Sequence, residues 1–270
     1  MIWVNCTNQF DAAAGFGGMR ESGFRREGGC EGIAAYLRAP EVKSKPETPA
    51  PDFKAMPSPT TPASGGIDRT PKLYIGGKQT RPDSGHSYTI SAKGRELGLA
   101  HLGSRNAVKA AHKAGAWGKQ TGHNRAQVLY YIAENLAARQ AEFEARLKHA
   151  GHDPKEAAAT VAGAFHYAAW ADKFDGAGKS TQSAKGTLAM HEPWGVMGVA
   201  SPDASPLLGF ASLVLPAIAM GNRVVAIPSQ SMPLLAADLY QVFDTSDLPG
   251  GVVNIVTGPR NDLAKTLAQH

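Results

Sequence analysis

The sequence predicts an α/β protein that carries an incomplete parallel sheet of βαβαβα order. Three observations predict it. From Val196 onward, short apolar runs alternate with segments of helical periodicity; from Ser104 to about Asp175 the pattern is helical and Ala-rich; and between them and the N-terminus lies a stretch dense in proline. Short buried strands that alternate with helices need crossover connections, and such crossovers build parallel sheets covered on both faces.

The composition changes after the first 37 residues. From Arg38 to Pro71, eight prolines (Pro40, Pro46, Pro49, Pro51, Pro57, Pro59, Pro62 and Pro71) sit among Ser, Thr, Lys and Glu. Such a stretch buries too little to offset its ordering entropy, so 38–71 is read as a disordered linker. A ligand for a proline-recognising module is the alternative. After it, Lys72 to Ile75 followed by Gly76-Gly77 predicts a strand entering a hairpin, because paired glycines supply the positive φ of such turns. Thr89 and Ile90 suggest a further short strand.

Ser104 is a candidate N-cap for an Ala-rich helix running to Trp117. Val128, Leu129, Ile132, Ala133 and Leu136 fall on one helical face, which Phe143 and Leu147 continue. Asp153-Pro154 is a helix start for the stretch that reaches Trp170 and Phe174. Then come Val196 to Ala200 as a strand, Leu207 to Met220 as a helix, Val224 to Ile227 as a strand, Leu234 to Phe243 as a helix, Val252 to Val256 as a strand, and Asn261 to Leu267 as a helix. A sheet cut after its third strand is expected to leave an open edge and an uncovered face.

A chain of 270 residues with 43% hydrophobic content holds one or two domains. The formal net charge of +5 is spread among interleaved acids and bases, which argues against a nucleic-acid surface. The longest apolar run, Leu207 to Met220, is shorter than the ~20 residues of a membrane span and contains Pro216, so no membrane partner is expected. Two cysteines, Cys6 and Cys30, in neither CxxC nor zinc-ligand spacing, fit a reducing compartment, and the chain is expected in the cytoplasm. His149 and His152 lack the further ligands of a zinc set, so no metal is expected.

Residues 1–37 resemble the C-terminal segment of the aldehyde dehydrogenase superfamily, on Ile2-Trp3-Val4-Asn5, Phe16-Gly17-Gly18, Ser22-Gly23-Phe24-Arg25-Arg26-Glu27-Gly28 and Gly32-Ile33-Ala34-Ala35-Tyr36. Residues 72–270 resemble the N-terminal part of the same family. That likeness rests on Glu192-Pro193-Trp194-Gly195-Val196, Gly221-Asn222-Arg223-Val224-Val225, and Asp247-Leu248-Pro249 leading through Asn254 to Gly258. The resemblance implies an incomplete aldehyde dehydrogenase fold, with a helical region over 104–175 and a partial Rossmann-like dinucleotide-binding region over 192–270. The order of segments implies a piece of a tandem protein: the end of a first domain, a linker, and the start of a degenerate second domain.

What the family implies chemically is NAD(P)-dependent oxidation of an aldehyde to a carboxylic acid. Its cofactor positions fall here on Ser201, Pro202, Asp203, Ile227, Pro228, Ser229, Gln230 and Gly258, and its substrate-tunnel aromatic falls on Phe16. The chemical positions depart from the family pattern. Its P-W-N asparagine, an oxyanion donor, is Ala204; its K-P-x-E lysine and glutamate, which hold ribose hydroxyls, are Ile227 and Gln230. Loss of one oxyanion donor costs about 10²- to 10³-fold in rate. Neither the family's G-Q-x-C nucleophile nor its E-L-G-G base falls within these residues. The resemblance therefore implies NAD or NADP in the parent family with doubtful binding here, no catalytic residue in this chain, and as partners the remainder of its own polypeptide and further copies of the parent protein. A non-catalytic assembly module is the second expectation.

Overall fold

The computed structural model describes residues 2–37, 70–110, 117–174, 176–179, 181 and 186–269. The expected linker therefore lies outside the described residues except for Thr70 and Pro71, and so does the stretch 111–116 of the expected Ala-rich helix. Two compact units divide the chain: Met1–Pro51 with Asp175–His191, and Asp52–Phe174 with Glu192–His270.

In chain order the elements are α1 (Gly29–Ala34), β1 (Leu73–Ile75), β2 (Lys78–Thr80), β3 (Ser87–Ala92), β4 (Arg95–His101), α2 (Arg105–Ala110), α3 (Gly122–Ala138), α4 (Gln140–Ala150) and α5 (Lys155–Trp170). They continue with β5 (Gly176–Lys179), β6 (Thr187–Met190), β7 (Val196–Ala200), α6 (Leu208–Ala219), β8 (Arg223–Ile227), α7 (Leu234–Asp244), β9 (Val253–Ile255) and α8 (Arg260–Ala268).

The alternation seen in the sequence after Val196 folds as expected. β7 pairs in parallel with β8 from Val196↔Arg223 to Ala200↔Ile227, and β8 pairs in parallel with β9. Successive residues of β8 point to opposite faces, and each face meets its own cluster. Val224 and Ala226 join the large core that α6 and α7 supply with Phe210, Val214, Leu235 and Phe243; Val225 and Ile227 pack with Ala107, Val108, Val256 and Leu263. Both faces are thus covered, which corrects the expectation of an uncovered one: α2 and α8 supply the second layer.

The edge of the third strand is covered as well. β1 pairs antiparallel with β9 through Tyr74↔Ile255, and β2 follows it, giving the order β2-β1-β9-β8-β7. Among the described residues the outer strands of this sheet are β2 and β7. Gly77, at φ 76°, lets the β1–β2 turn press on its neighbour, for an added Cβ would lie 2.6 Å from the Cα of Gly250. β3 and β4 form a separate hairpin.

The helical region follows its sequence signals. Ser104 Oγ accepts from the Ala107 amide and Thr121 Oγ1 from that of Asn124, so α2 and α3 start at polar caps, while Asp153 Oδ1 accepts from the Lys155 amide just ahead of α5, whose N-cap is Pro154. Leu129, Ile132, Ala133 and Leu136 form the buried face of α3, while Phe143 and Leu147 are wholly buried on α4. Two boundaries differ from expectation. α5 ends at Trp170 instead of reaching Phe174, and Trp117 opens a 3-10 turn, where its indole donates to the carbonyl of Ile218 at 2.9 Å.

In the other unit, Phe16 and Glu27 exchange backbone hydrogen bonds of 2.7 Å, and the ring of Phe16 stands edge-on to Phe10 at 4.8 Å. The hairpin of β5 and β6, a stretch to which the sequence assigns no element, belongs to this unit, and Lys179 pairs with Glu31 at 2.7 Å.

Candidate nucleotide-crevice site

In an open parallel α/β sheet, ligands lie outside the carboxyl ends of the strands. Three loops meet there: 201–207 after β7, 228–233 after β8, and 256–259 after β9. The first two are tied together by the Ser201 amide, which donates to the carbonyl of Ile227 at 2.9 Å. All cofactor-position residues expected from the sequence lie in these loops or at the end of β8; Phe16, the expected substrate-tunnel aromatic, lies in the other compact unit.

Their side chains are engaged with the protein itself. Asp203 Oδ1 receives the hydroxyl of Ser229 at 2.7 Å, the hydroxyl of Ser231 at 3.2 Å and the amide of Ser231 at 3.3 Å. The guanidinium of Arg260, first residue of α8, reaches the same oxygen at 3.0 Å. The other oxygen, Oδ2, is buried without a hydrogen-bond partner, as are the hydroxyls of Ser201 and Tyr88. Burial first, and then the charge of Asp203, push the phenol of Tyr88 above the ordinary tyrosine range, which keeps it neutral.

Gln230 is also committed. Its Oε1 accepts from the backbone amide of Arg260 at 2.9 Å and so satisfies one of the amides left open at the start of α8. Ile227 is fully buried in the cluster of Val225, Val256 and Leu263, with no atom available to a ligand. Pro228, Ser229 and Gly258 are buried in the loops, and Pro202 and Ala204 are exposed, Ala204 with only a methyl group to offer. The turn that carries Ala204 is anchored from α5: Glu156, 8% exposed, accepts from the amides of Leu207 and Leu208 at 3.3 and 3.2 Å. Among the described residues no three His, Cys, Asp or Glu side chains gather as a metal site, and no helix is long and apolar enough to cross a membrane.

Sequence reasoning missed Ser231, Arg260, Tyr88 and Glu156. Arg260 meets Asp203 across 57 positions (260 minus 203) and Glu156 meets Leu207 across 51, separations that no local pattern encodes.

Comparison with known proteins agrees with this geometry. A family profile described as "Aldehyde dehydrogenase family" matches residues 101–270. A 2-hydroxymuconic semialdehyde dehydrogenase of Pseudomonas putida is 35% identical over 217 residues, covering 72% of this chain and 43% of that protein. A mitochondrial benzaldehyde dehydrogenase of Antirrhinum majus is 31% identical over 215 residues, covering 74% and 40%. In fold, the chain is similar to an aldehyde dehydrogenase from Bacillus cereus solved as a NAD+ complex, with a TM-score of 0.68 at 24% identity over 76% of this chain and 45% of that one. The chain thus spans under half the length of the relatives it matches. With the profile spanning the helical region and the parallel sheet alike, the chain belongs to the aldehyde dehydrogenase family.

Proposed function

We propose that this chain is a non-catalytic copy of the aldehyde dehydrogenase framework, in which the crevice that would hold a nicotinamide dinucleotide serves as an internal clasp. The protein it derives from would carry out NAD(P)-dependent oxidation of an aldehyde to a carboxylic acid, and residues 1–37, with Phe16 as a tunnel residue, would close a preceding copy. The observation that carries the reading is the Asp203 cluster: one carboxylate oxygen gathers Ser229, Ser231 and Arg260 from the loops that would contact a cofactor.

The residues present do not fit the dinucleotide. Ile227 is buried and apolar where the resemblance places a lysine, Gln230 has its oxygen on the α8 amide, and Asp203 puts a carboxylate among the crevice loops. A charged hydrogen bond is about twice as strong as a neutral one, so exchanging Lys and Glu for Ile and Gln removes the stronger contacts. Neither Cys6 nor Cys30 adjoins this crevice in sequence or belongs to its compact unit. The framework alone remains, which suits a role in packing against the rest of its own polypeptide and against further copies.

Titration calorimetry of the chain with NAD+ and NADP+ tests this. The expected result is no saturable binding below about 1 mM, which corresponds to about −4 kcal/mol. Saturable micromolar binding, or aldehyde-dependent formation of NADH, overturns the reading.

A further inference from the structure

The donors around Asp203 have the makeup of an oxyanion site. Two hydroxyls and one amide donate to a single oxygen, Oδ1, with which the Arg260 guanidinium forms an ion pair at 3.0 Å, while Oδ2 of the same carboxylate is buried without a hydrogen-bond partner. A carboxylate acting only as a brace would be expected to share donors between its oxygens. Here the donors define one point, as they do where hydroxyls, amides and arginine grip a phosphate oxygen.

The hydroxyl of Ser229 is oriented for this task. Its oxygen accepts from the amide of Met232 at 3.0 Å, which leaves its own hydrogen for Asp203. α7 begins at Leu234, and its amide dipoles favour negative charge just ahead of it. Arg260, whose side chain is 19% exposed, adds its positive charge beside the same oxygen.

We propose that Ser229, Ser231 and Arg260 form an oxyanion-binding site which Asp203 occupies as a tethered internal ligand. This autoinhibitory contact shuts the crevice to phosphate-bearing small molecules while the carboxylate is in place. The inference rests on the reading of the crevice as self-filled. Tethering explains why the internal anion prevails: a group on a short loop acts at an effective concentration in the millimolar range or above, so a free anion of modest affinity is displaced. Once the carboxylate is removed, the same donors are expected to take inorganic phosphate or a phosphomonoester.

The test titrates inorganic phosphate into the full chain at constant ionic strength, comparing the wild type with Asp203→Ala, Asp203→Asn and the double variant Asp203→Ala with Ser229→Ala. Expected are phosphate binding by Asp203→Ala at least about tenfold tighter than by the wild type, and loss of about tenfold on adding Ser229→Ala. If Asp203→Ala fails to fold, Asp203→Asn carries the test, since it keeps the side-chain volume without the charge. An unchanged phosphate response in the folded variants overturns the proposal, as does a gain that Ser229→Ala leaves intact. The NAD+ titration of the wild type is a separate readout: binding there overturns the non-catalytic reading, whereas failure of the phosphate gain overturns only the oxyanion site.

Discussion

Replacing Glu156 with alanine is expected to destabilise the chain by about 2–3 kcal/mol. Glu156 stands in the first turn of α5, 8% exposed, and its Oε2 accepts from the amides of Leu207 and Leu208 where α6 begins. Leu207 itself provides no side-chain cap, so these amides have no other acceptor of that kind. Losing an N-cap costs about 0.5–2 kcal/mol, and a buried donor left without a partner about 1–3 kcal/mol. The bonds are long at 3.2 and 3.3 Å, so the low end of each range applies, and the two amides together give the stated figure. Glu156→Gln keeps an acceptor and gives up the charge, which should cost about 1 kcal/mol. Urea unfolding followed by far-UV circular dichroism reads the difference as a lower midpoint at unchanged slope, and thermal unfolding as a fall of about 5–10 °C for Glu156→Ala. A Glu156→Ala protein within about 0.5 kcal/mol of the wild type would refute the reasoning, and so would a Gln variant as impaired as the Ala variant.

Ile227→Lys, which installs the lysine that the resemblance implies there, should destabilise by about 4 kcal/mol, because a lysine in the Val225–Val256–Leu263 cluster must surrender its charge near neutral pH. It should also gain no NAD+ affinity, since Asp203 and Gln230 stay engaged; a stable Ile227→Lys protein with micromolar NAD+ binding would contradict this account. In the other unit the side chain of Lys179, assisted by Glu31's own amide and by Cys30, lowers the Glu31 carboxyl from 4.5 to about 2. A depressed carboxyl stabilises above its unfolded value and loses that contribution as pH falls through the folded one, so this contact should weaken between about pH 4.5 and 2. Carboxyl-carbon NMR titration should show Glu31 returning towards 4.5 in Lys179→Met, and an unchanged titration would dissociate the shift from Lys179.

Elements whose signal is local were legible in the sequence. Apolar runs and caps announce themselves within a few residues, so β7, β8, β9 and their helices fall within one or two residues of expectation. The pairing of β1 with β9 was not legible, because Tyr74 and Ile255 are 181 positions apart (255 minus 74) and an open edge looks the same in sequence whether or not a distant strand covers it. The hairpin of β5 and β6 was missed for another reason: Gly176-Ala177-Gly178 carries no alternation of apolar and polar residues to mark a strand. At the site, resemblance points to positions 204, 227 and 230, but the side chains gathered on Asp203 were not legible. Asp203 carries no mark of its partners, since Ser229 and Ser231 reach it only after one crossover has folded and Arg260 only after a second.

The positions that match the family and those that depart from it divide along a physical line. Asn222 fits the pattern, and its side chain joins two points of the backbone: its Oδ1 accepts from the Gly195 amide at 3.0 Å and its Nδ2 donates to the Ala217 carbonyl at 3.1 Å, while Gly221 before it turns the chain out of α6 at φ 80°. Asn254 matches too. It donates to the carbonyls of Val224 and Gly251 and accepts from the Gly76 amide, so one side chain holds β8, the turn before β9 and the β1–β2 hairpin. Each buried backbone group it satisfies would cost about 1–3 kcal/mol if abandoned, a large share of the stability of any domain. Any copy that folds must keep such residues, whether or not it binds a cofactor. Ala204 and Gln230 carry no comparable load on the sheet, and Ile227 gains by the change, since burying an aliphatic side chain contributes about 1.5–3 kcal/mol. A chain held only to the requirement of folding would therefore keep Asn222 and Asn254 and be free to vary at 204 and 230.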